Sequence, residues 1–199
     1  MSEGTLNIYV SGVGGFGIGS VTRILTVASE MTGKQVAGSE THGLAQRGGV
    51  VVSTLRIGEN IMGSPLIING TADIVVALEP LEALRAMPVL KRGGTVIYNT
   101  TSFQPLSVRL EQERYPTLEE IEAELRKVTD NVIPLDASAK AKELGLSQAA
   151  NVVLLGALVG REALPFDMEV MKRAVEQSTP QRFLDANLKA LKAGRDAVS

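Results

Sequence analysis

The chain has 199 residues, 44% hydrophobic and 21% charged, with a formal net charge of −2. That is length enough for one domain with a proper core, and residues 1–199 are read as a single domain. The slight negative balance, the scarcity of aromatics and the absence of Trp exclude a basic groove with stacking rings, and with it nucleic acid as a partner. Cysteine is absent, which rules out disulfides, a thiol nucleophile and an iron–sulfur cluster held by this chain's own thiolates. Met1 to Asn7 show no cleavable apolar run, and the most apolar stretch, Val152 to Val159, is too short to span a bilayer, so a cytoplasmic protein without a membrane partner is expected.

Leu6, Ile8 and Val10 form a first strand that stops at a glycine cluster. Ile18, Val21, Leu25 and Ala28 recur at helical spacing until Gly33 ends the pattern. Val36 and Ala37 begin a second strand that runs into a polar segment, Ser39 to Gly49. The β-rich run Val50, Val51, Val52 and Leu55, the turn residues Gly58 to Asn60 and the return at Ile61 and Met62 predict an antiparallel hairpin.

Alternation then resumes. Ile74 to Leu78 reads as a buried strand, followed by a helix that starts at Pro80 with Leu81 and Leu84 on its inner face. Gly93 and Gly94 precede a strand at Thr95 to Tyr98. Thr117 and Glu120 make a capping-box pair for a helix with Leu118, Ile121 and Leu125 inward, its glutamates forming a solvated face. Val132 to Leu135 is a further strand, with Asp136 able to cap the next helix. From Gln148 only helices remain: Val152 to Val159, apolar nearly all round, then Met168 to Gln177, then one from Arg182 with Leu184, Leu188 and Leu191 inward. The pattern predicts a three-layer α/β/α fold with a mostly parallel sheet, an antiparallel hairpin and a helical C-terminal third.

Two segments carry candidate chemistry. Gly12-Val13-Gly14-Gly15-Phe16-Gly17 satisfies G-x-G-x-x-G between a strand and a helix, where bare backbone and free N–H groups can hold an anion. Glu40 stands about where a nucleotide-binding domain keeps its ribose-binding acid. That leaves open a nicotinamide or flavin site, or a tight turn with no ligand. The second segment gathers Glu40, Thr41, the sole histidine His42, Gln46, Arg47, Gly48 and Gly49, which read as a flexible loop at the carboxyl end of the second strand. Open α/β sheets form their ligand crevices on that edge. Arg47 beside two glycines suits an anion clamp or a structural ion pair. Glu79, ahead of Pro80, reads first as a decoration of a helix start, and alternatively as a group pointing into the crevice. No carboxylate pair or metal-ligand cluster is discernible.

Gly12 to Gly17, the string Glu40-Thr-His-Gly-Leu-Ala-Gln-Arg-Gly-Gly49 and the stretch Ala72-Asp-Ile-Val-Val-Ala-Leu-Glu-Pro80 resemble the small-subunit family of 2-oxoacid:ferredoxin oxidoreductases. This is the gamma subunit or domain of pyruvate enzymes and the beta subunit of indolepyruvate enzymes, a domain of the pyruvate/ketoisovalerate oxidoreductase type. Glu82 to Arg85, Lys91 to Gly94 and Asn151 near Gly156 fit as well. The Thr-His-Gly-x-x-Gln-Arg-Gly-Gly string is most similar to the indolepyruvate branch.

The resemblance implies oxidative decarboxylation of an arylpyruvate such as indolepyruvate to the acyl-coenzyme A, with ferredoxin accepting the electrons. It also implies that thiamine diphosphate, magnesium and iron–sulfur clusters sit on a larger partner subunit, and that this chain alone binds none of them. The sequence agrees, having no cysteine and no Gly-Asp-Gly with a downstream Asn-Asn. Catalytic residues are then expected on the partner, with Gly12, Gly14, Gly15, Gly17 and the Glu40–Gly49 loop facing its active site and coenzyme A as co-substrate. Two other readings stand beside this one: an NAD(P)-dependent Rossmann-type oxidoreductase, and a non-catalytic nucleotide-binding or assembly module.

Overall fold

The computed structural model describes residues 4–42, 49–61, 63–103 and 114–198, His42 through its backbone alone. Six strands form one sheet in the order β2-β3-β1-β4-β5-β6. They are β1 (Leu6–Val13), β2 (Gln35–His42), β3 (Val50–Gly58), β4 (Ala72–Ala77), β5 (Leu90–Asn99) and β6 (Val132–Leu135). Seven helices are described: α1 (Ile18–Met31), α2 (Pro80–Arg85), α3 (Leu118–Leu125), α4 (Ala137–Glu143), α5 (Ala150–Gly160), α6 (Met168–Ser178) and α7 (Gln181–Asp196).

β1, β4, β5 and β6 pair in parallel, whereas β3 runs against both of its neighbours. The antiparallel hairpin is therefore β2–β3, not one turning at Gly58 to Asn60. Ile61 lies outside any strand, and Met62 lies outside the described residues. The reason is the edge vacancy created by α1. The crossover from β1 carries the chain two strand positions away, and β3 folds back to fill the gap between β2 and β1. Its inward side chains Val51, Leu55 and Ile57 join Ile8, Val10, Leu25 and Ala28 in one continuous core.

That core lies between the sheet and α1, α5, α6 and α7. A second core on the opposite face joins Val75, Ala77, Val96 and Tyr98 to Ala83 of α2 and to Ile121 and Leu125 of α3. Complete burial of residues such as Ile121 and Leu125 contributes roughly 1.5–3 kcal/mol each against the exposed state.

Three local expectations are corrected. α2 buries Pro80, Glu82 and Ala83 most fully, with Leu84 half-buried against the same core as expected and Leu81 only half-buried, because a six-residue helix capped by Glu79 turns that side to the sheet. Leu118 opens α3 and stays 38% exposed, since the capping box sets the first turn out from the sheet. Gly93 and Gly94 lie within β5, where Gly93 takes φ 76° and the pairing with β4 shifts register between Ala72 and Ile74.

The helix α5, apolar apart from Asn151, is buried among elements of its own chain. A Cβ on Gly156 would run into the Leu191 carbonyl, and one on Gly194 into the Val153 carbonyl, so α5 and α7 meet backbone to backbone.

Candidate functional site

The sheet reverses its order of growth at β1. From there the chain moves outward through α1 to β2, and later returns to place β4 on the other side. The carboxyl ends of β1, β4 and β5 therefore open on a crevice, the usual ligand position in such sheets. It has a volume of about 540 Å³ and is lined by the glycine loop, the residues that follow β5, and the starts of α4 and α5.

The glycine loop makes one wall. Phe16 N donates to the Val13 carbonyl at 3.2 Å, closing a tight turn, and Gly15 and Gly17 hold positive φ values of 98° and 86°. Gly17 is the N-cap of α1 and contributes no side chain, so the positive end of a 14-residue helix has no acidic group in its first turn. Asn151 crosses to this loop from α5: its Nδ2 donates to the Gly17 carbonyl at 3.0 Å, while its Oδ1 accepts from Val152 N at 2.8 Å. A Cβ at Gly17 would collide with the Asn151 amide. α5 also starts without a side-chain cap from its N-cap residue, Ala149.

Beside Leu78, the floor carries neutral polar groups. Asn99, at the end of β5, donates to Ser138 Oγ at 2.9 Å and accepts from Ser138 N at 3.2 Å. Thr101 Oγ1 donates to Asp136 at 3.0 Å. At the mouth, the half-exposed rings of Phe16 and Phe103 meet edge to face with centroids 5.4 Å apart. None of the described lining side chains is ionisable. The crevice can therefore bind a ligand through amides, hydroxyls and two helix N-termini, but those side chains include no general acid or base.

The residues singled out from the sequence divide into three groups. Gly15 and Gly17 line the crevice, and Gly12 lies beneath it with no room for a Cβ against Leu78. Gly14 N donates to the Gly49 carbonyl at 2.9 Å, so the loop and the start of β3 are joined. Glu40 and Thr41 do not line the crevice. They belong to β2, paired with Ser53 and Val52, and the Glu40 carboxylate packs near Gly19 of α1. Ser39 to His42 are thus strand and not loop, because Val51 to Thr54 supply partners for them. His42 pairs with Val51 through its backbone, while Gln46, Arg47 and Gly48 lie outside the described residues.

Asn99, Ser138 and Phe103 escaped the sequence reading. Asn99 left one usable signal, a polar residue closing a buried strand at the carboxyl edge.

Glu79 is more than a surface cap. It is 1% exposed, and its carboxylate accepts from Glu82 N at 3.2 Å, from Phe103 N at 3.2 Å and from the Tyr115 hydroxyl. Burial, reinforced by the Glu79 hydrogen bond and charge, pushes the Tyr115 phenol far up. Burial likewise raises Glu82, against the opposing pull of Arg85.

Fold and crevice together define a class: a doubly wound α/β chain with a switch-point crevice and no thiolate. The chain belongs to the pyruvate ferredoxin/flavodoxin oxidoreductase family, whose model matches residues 7–197. It is 45% identical to the indolepyruvate oxidoreductase subunit IorB of Archaeoglobus fulgidus, covering 95% of this chain and 93% of the relative. The IorB of Methanothermobacter thermautotrophicus is 38% identical, with 97% of each chain covered. Among solved structures, the gamma subunit of a keto/oxoacid ferredoxin oxidoreductase from Geobacter sulfurreducens superposes with a TM-score of 0.70 at 25% identity, covering 97% of this chain and 98% of that one. The same fold forms 31% of the chain of a 2-oxoglutarate:ferredoxin oxidoreductase from Magnetococcus marinus, with a TM-score of 0.73 at 20% identity and 99% of this chain covered. The protein is a subunit of a 2-oxoacid:ferredoxin oxidoreductase and depends on partner subunits for its activity.

Proposed function

We propose that this chain is the small subunit of a thiamine-diphosphate-dependent enzyme that oxidatively decarboxylates arylpyruvates, indolepyruvate foremost, to the acyl-coenzyme A with ferredoxin as acceptor. The observation that carries the substrate class is the 45% identity, over nearly the whole of both chains, to an indolepyruvate oxidoreductase subunit. A larger partner holds thiamine diphosphate, magnesium and the iron–sulfur clusters; the thiamine supplies the carbanion chemistry that releases carbon dioxide. This chain acts as one domain. Its glycine loop and the Glu40–Gly49 segment face the partner's active site in the cytoplasm.

The part this chain plays is electrostatic and positional. The uncapped starts of α1 and α5, with the bare backbone of Gly15 and Gly17, favour an anionic group. That group is a coenzyme A phosphate or the substrate carboxylate, and Arg47 contributes a forked cation to it. The remaining site residues, Thr41, His42, Gln46, Gly48 and Gly49, belong to the same facing surface.

The test is the complex assembled with its partner, assayed anaerobically for dye reduction with indolepyruvate, phenylpyruvate, pyruvate and 2-oxoglutarate. Turnover highest with the two arylpyruvates, and a raised KM for coenzyme A or oxoacid in Arg47→Ala, are expected. A clear preference for pyruvate or 2-oxoglutarate would overturn the substrate class. An Arg47→Ala enzyme that assembles and turns over unchanged would overturn the anion role.

A further inference from the structure

The geometry points to Glu79 as a positioning residue for this oxidoreductase: its buried carboxylate holds Phe103 against Phe16 and so sets the wall of the crevice opposite the glycine loop. The inference rests on the reading that this crevice faces the partner's active site.

Glu79 follows β4 at the sheet's switch point, with Leu78 on the crevice floor beside it. One carboxylate oxygen caps α2 through Glu82 N at 3.2 Å. The other serves two donors from distant parts of the chain, Phe103 N at 3.2 Å and the Tyr115 hydroxyl. That hydroxyl also accepts from Leu81 N at 3.3 Å, which fixes its direction. A cap alone needs neither of the two distant donors. A buried carboxylate is costly unless every lone pair is used, so this arrangement has one well-defined geometry.

Among the described residues, what Glu79 holds has few other anchors. Thr100 to Phe103 leave the sheet after Asn99 without regular secondary structure. Besides Glu79, their described anchors are Thr100 N to the Leu135 carbonyl at 3.0 Å and Thr101 to Asp136 at 3.0 Å. Both lie short of Phe103. The Phe103 ring, 44% exposed, reaches across to Phe16 of the glycine loop at a centroid distance of 5.4 Å. An edge-to-face pair at the mouth of the crevice is a specificity element: its spacing decides which ligand surface can enter beside the glycine loop. Through Phe103, Glu79 controls that spacing without touching the ligand.

The experiment uses the assembled complex and compares Glu79→Ala, Glu79→Gln, Phe103→Ala and the double variant Glu79→Ala/Phe103→Ala, with Gly17→Ala as a crevice control. KM for coenzyme A and for indolepyruvate, kcat and Tm are read for each. Phe103→Ala raises one of the two KM values about threefold to tenfold with kcat nearly unchanged, the scale of a lost aromatic pair. Glu79→Ala raises the same KM, and the double variant matches Phe103→Ala alone, because one residue acts through the other. Glu79→Gln keeps an acceptor oxygen for Phe103 and Tyr115 but turns its NH2 toward Glu82 N. It restores most of the KM while Tm stays lowered, a split that a merely structural role would not give. Should Glu79→Ala fail to fold, Phe103→Ala and Glu79→Gln still decide the matter. Gly17→Ala raising KM while Phe103→Ala changes neither value, or KM effects that multiply in the double variant, would overturn the inference and leave the crevice reading intact. Unchanged KM in all variants, Gly17→Ala included, would overturn both.

Discussion

Gly17 occupies a left-handed backbone position with φ 86°, and the space where a side chain would start is taken by the Asn151 amide. Both facts penalise any substitution. Gly17→Ala loses roughly 1–3 kcal/mol from backbone strain alone, before the collision is counted. Urea unfolding of this variant is expected to show a lower midpoint with an unchanged slope. Glu82 makes a pH-dependent prediction. Its folded pKa is raised above 4.5 by burial, so the charged form is the one the fold disfavours. The penalty is present above the raised folded value and fades as pH falls to the unfolded one, because the native state takes up the proton first. Arg85, half exposed, offsets only part of it. Glu82→Gln is therefore expected to melt higher than the wild type at neutral pH. The gap closes as pH approaches 4.5, and a gap that widens on acidification would contradict the assignment.

Among the elements, α5 and α7 set the strictest packing demand. Gly156 and Gly194 let the two backbones touch, and Gly156→Ala would drive a methyl into the Leu191 carbonyl. Separating the helices costs about 3 kcal/mol, the upper end of ordinary overpacking, which a shift in Tm and in denaturant midpoint would register. A Gly156→Ala protein as stable as the wild type would show that this contact is looser than described. The sequence made most elements legible. Helical spacing marked α1 and α7, a nearly all-round apolar run marked α5, and the Thr117–Glu120 pair announced the start of α3. The position of β3 was not legible, because its apolar pattern is compatible with a return strand at Ile61 as well as with insertion between β2 and β1. Only the competition of partners in the folded sheet decides that. Leu118 misled for a local reason: a residue in the first turn obeys the cap before it obeys the helical period.

At the scale of the whole molecule, the crevice was half legible. The glycine loop was visible because bare backbone beside a strand and a helix has a sequence signature. Asn99, Ser138 and Phe103 were not, since ordinary polar and aromatic residues become a site only when the end of β5 and the starts of α4 and α5 meet at one edge. Glu79 was seen but undervalued, because its donors Phe103 and Tyr115 lie 24 and 36 residues away. The most direct measurement is anaerobic purification of the tagged chain from its own host, followed by mass spectrometry, thiamine analysis and an ultraviolet–visible spectrum. A larger brown partner carrying thiamine diphosphate, with indolepyruvate-dependent dye reduction, is the predicted result. A colourless chain that comes alone and whose melting temperature rises with NAD(P) would contradict the account.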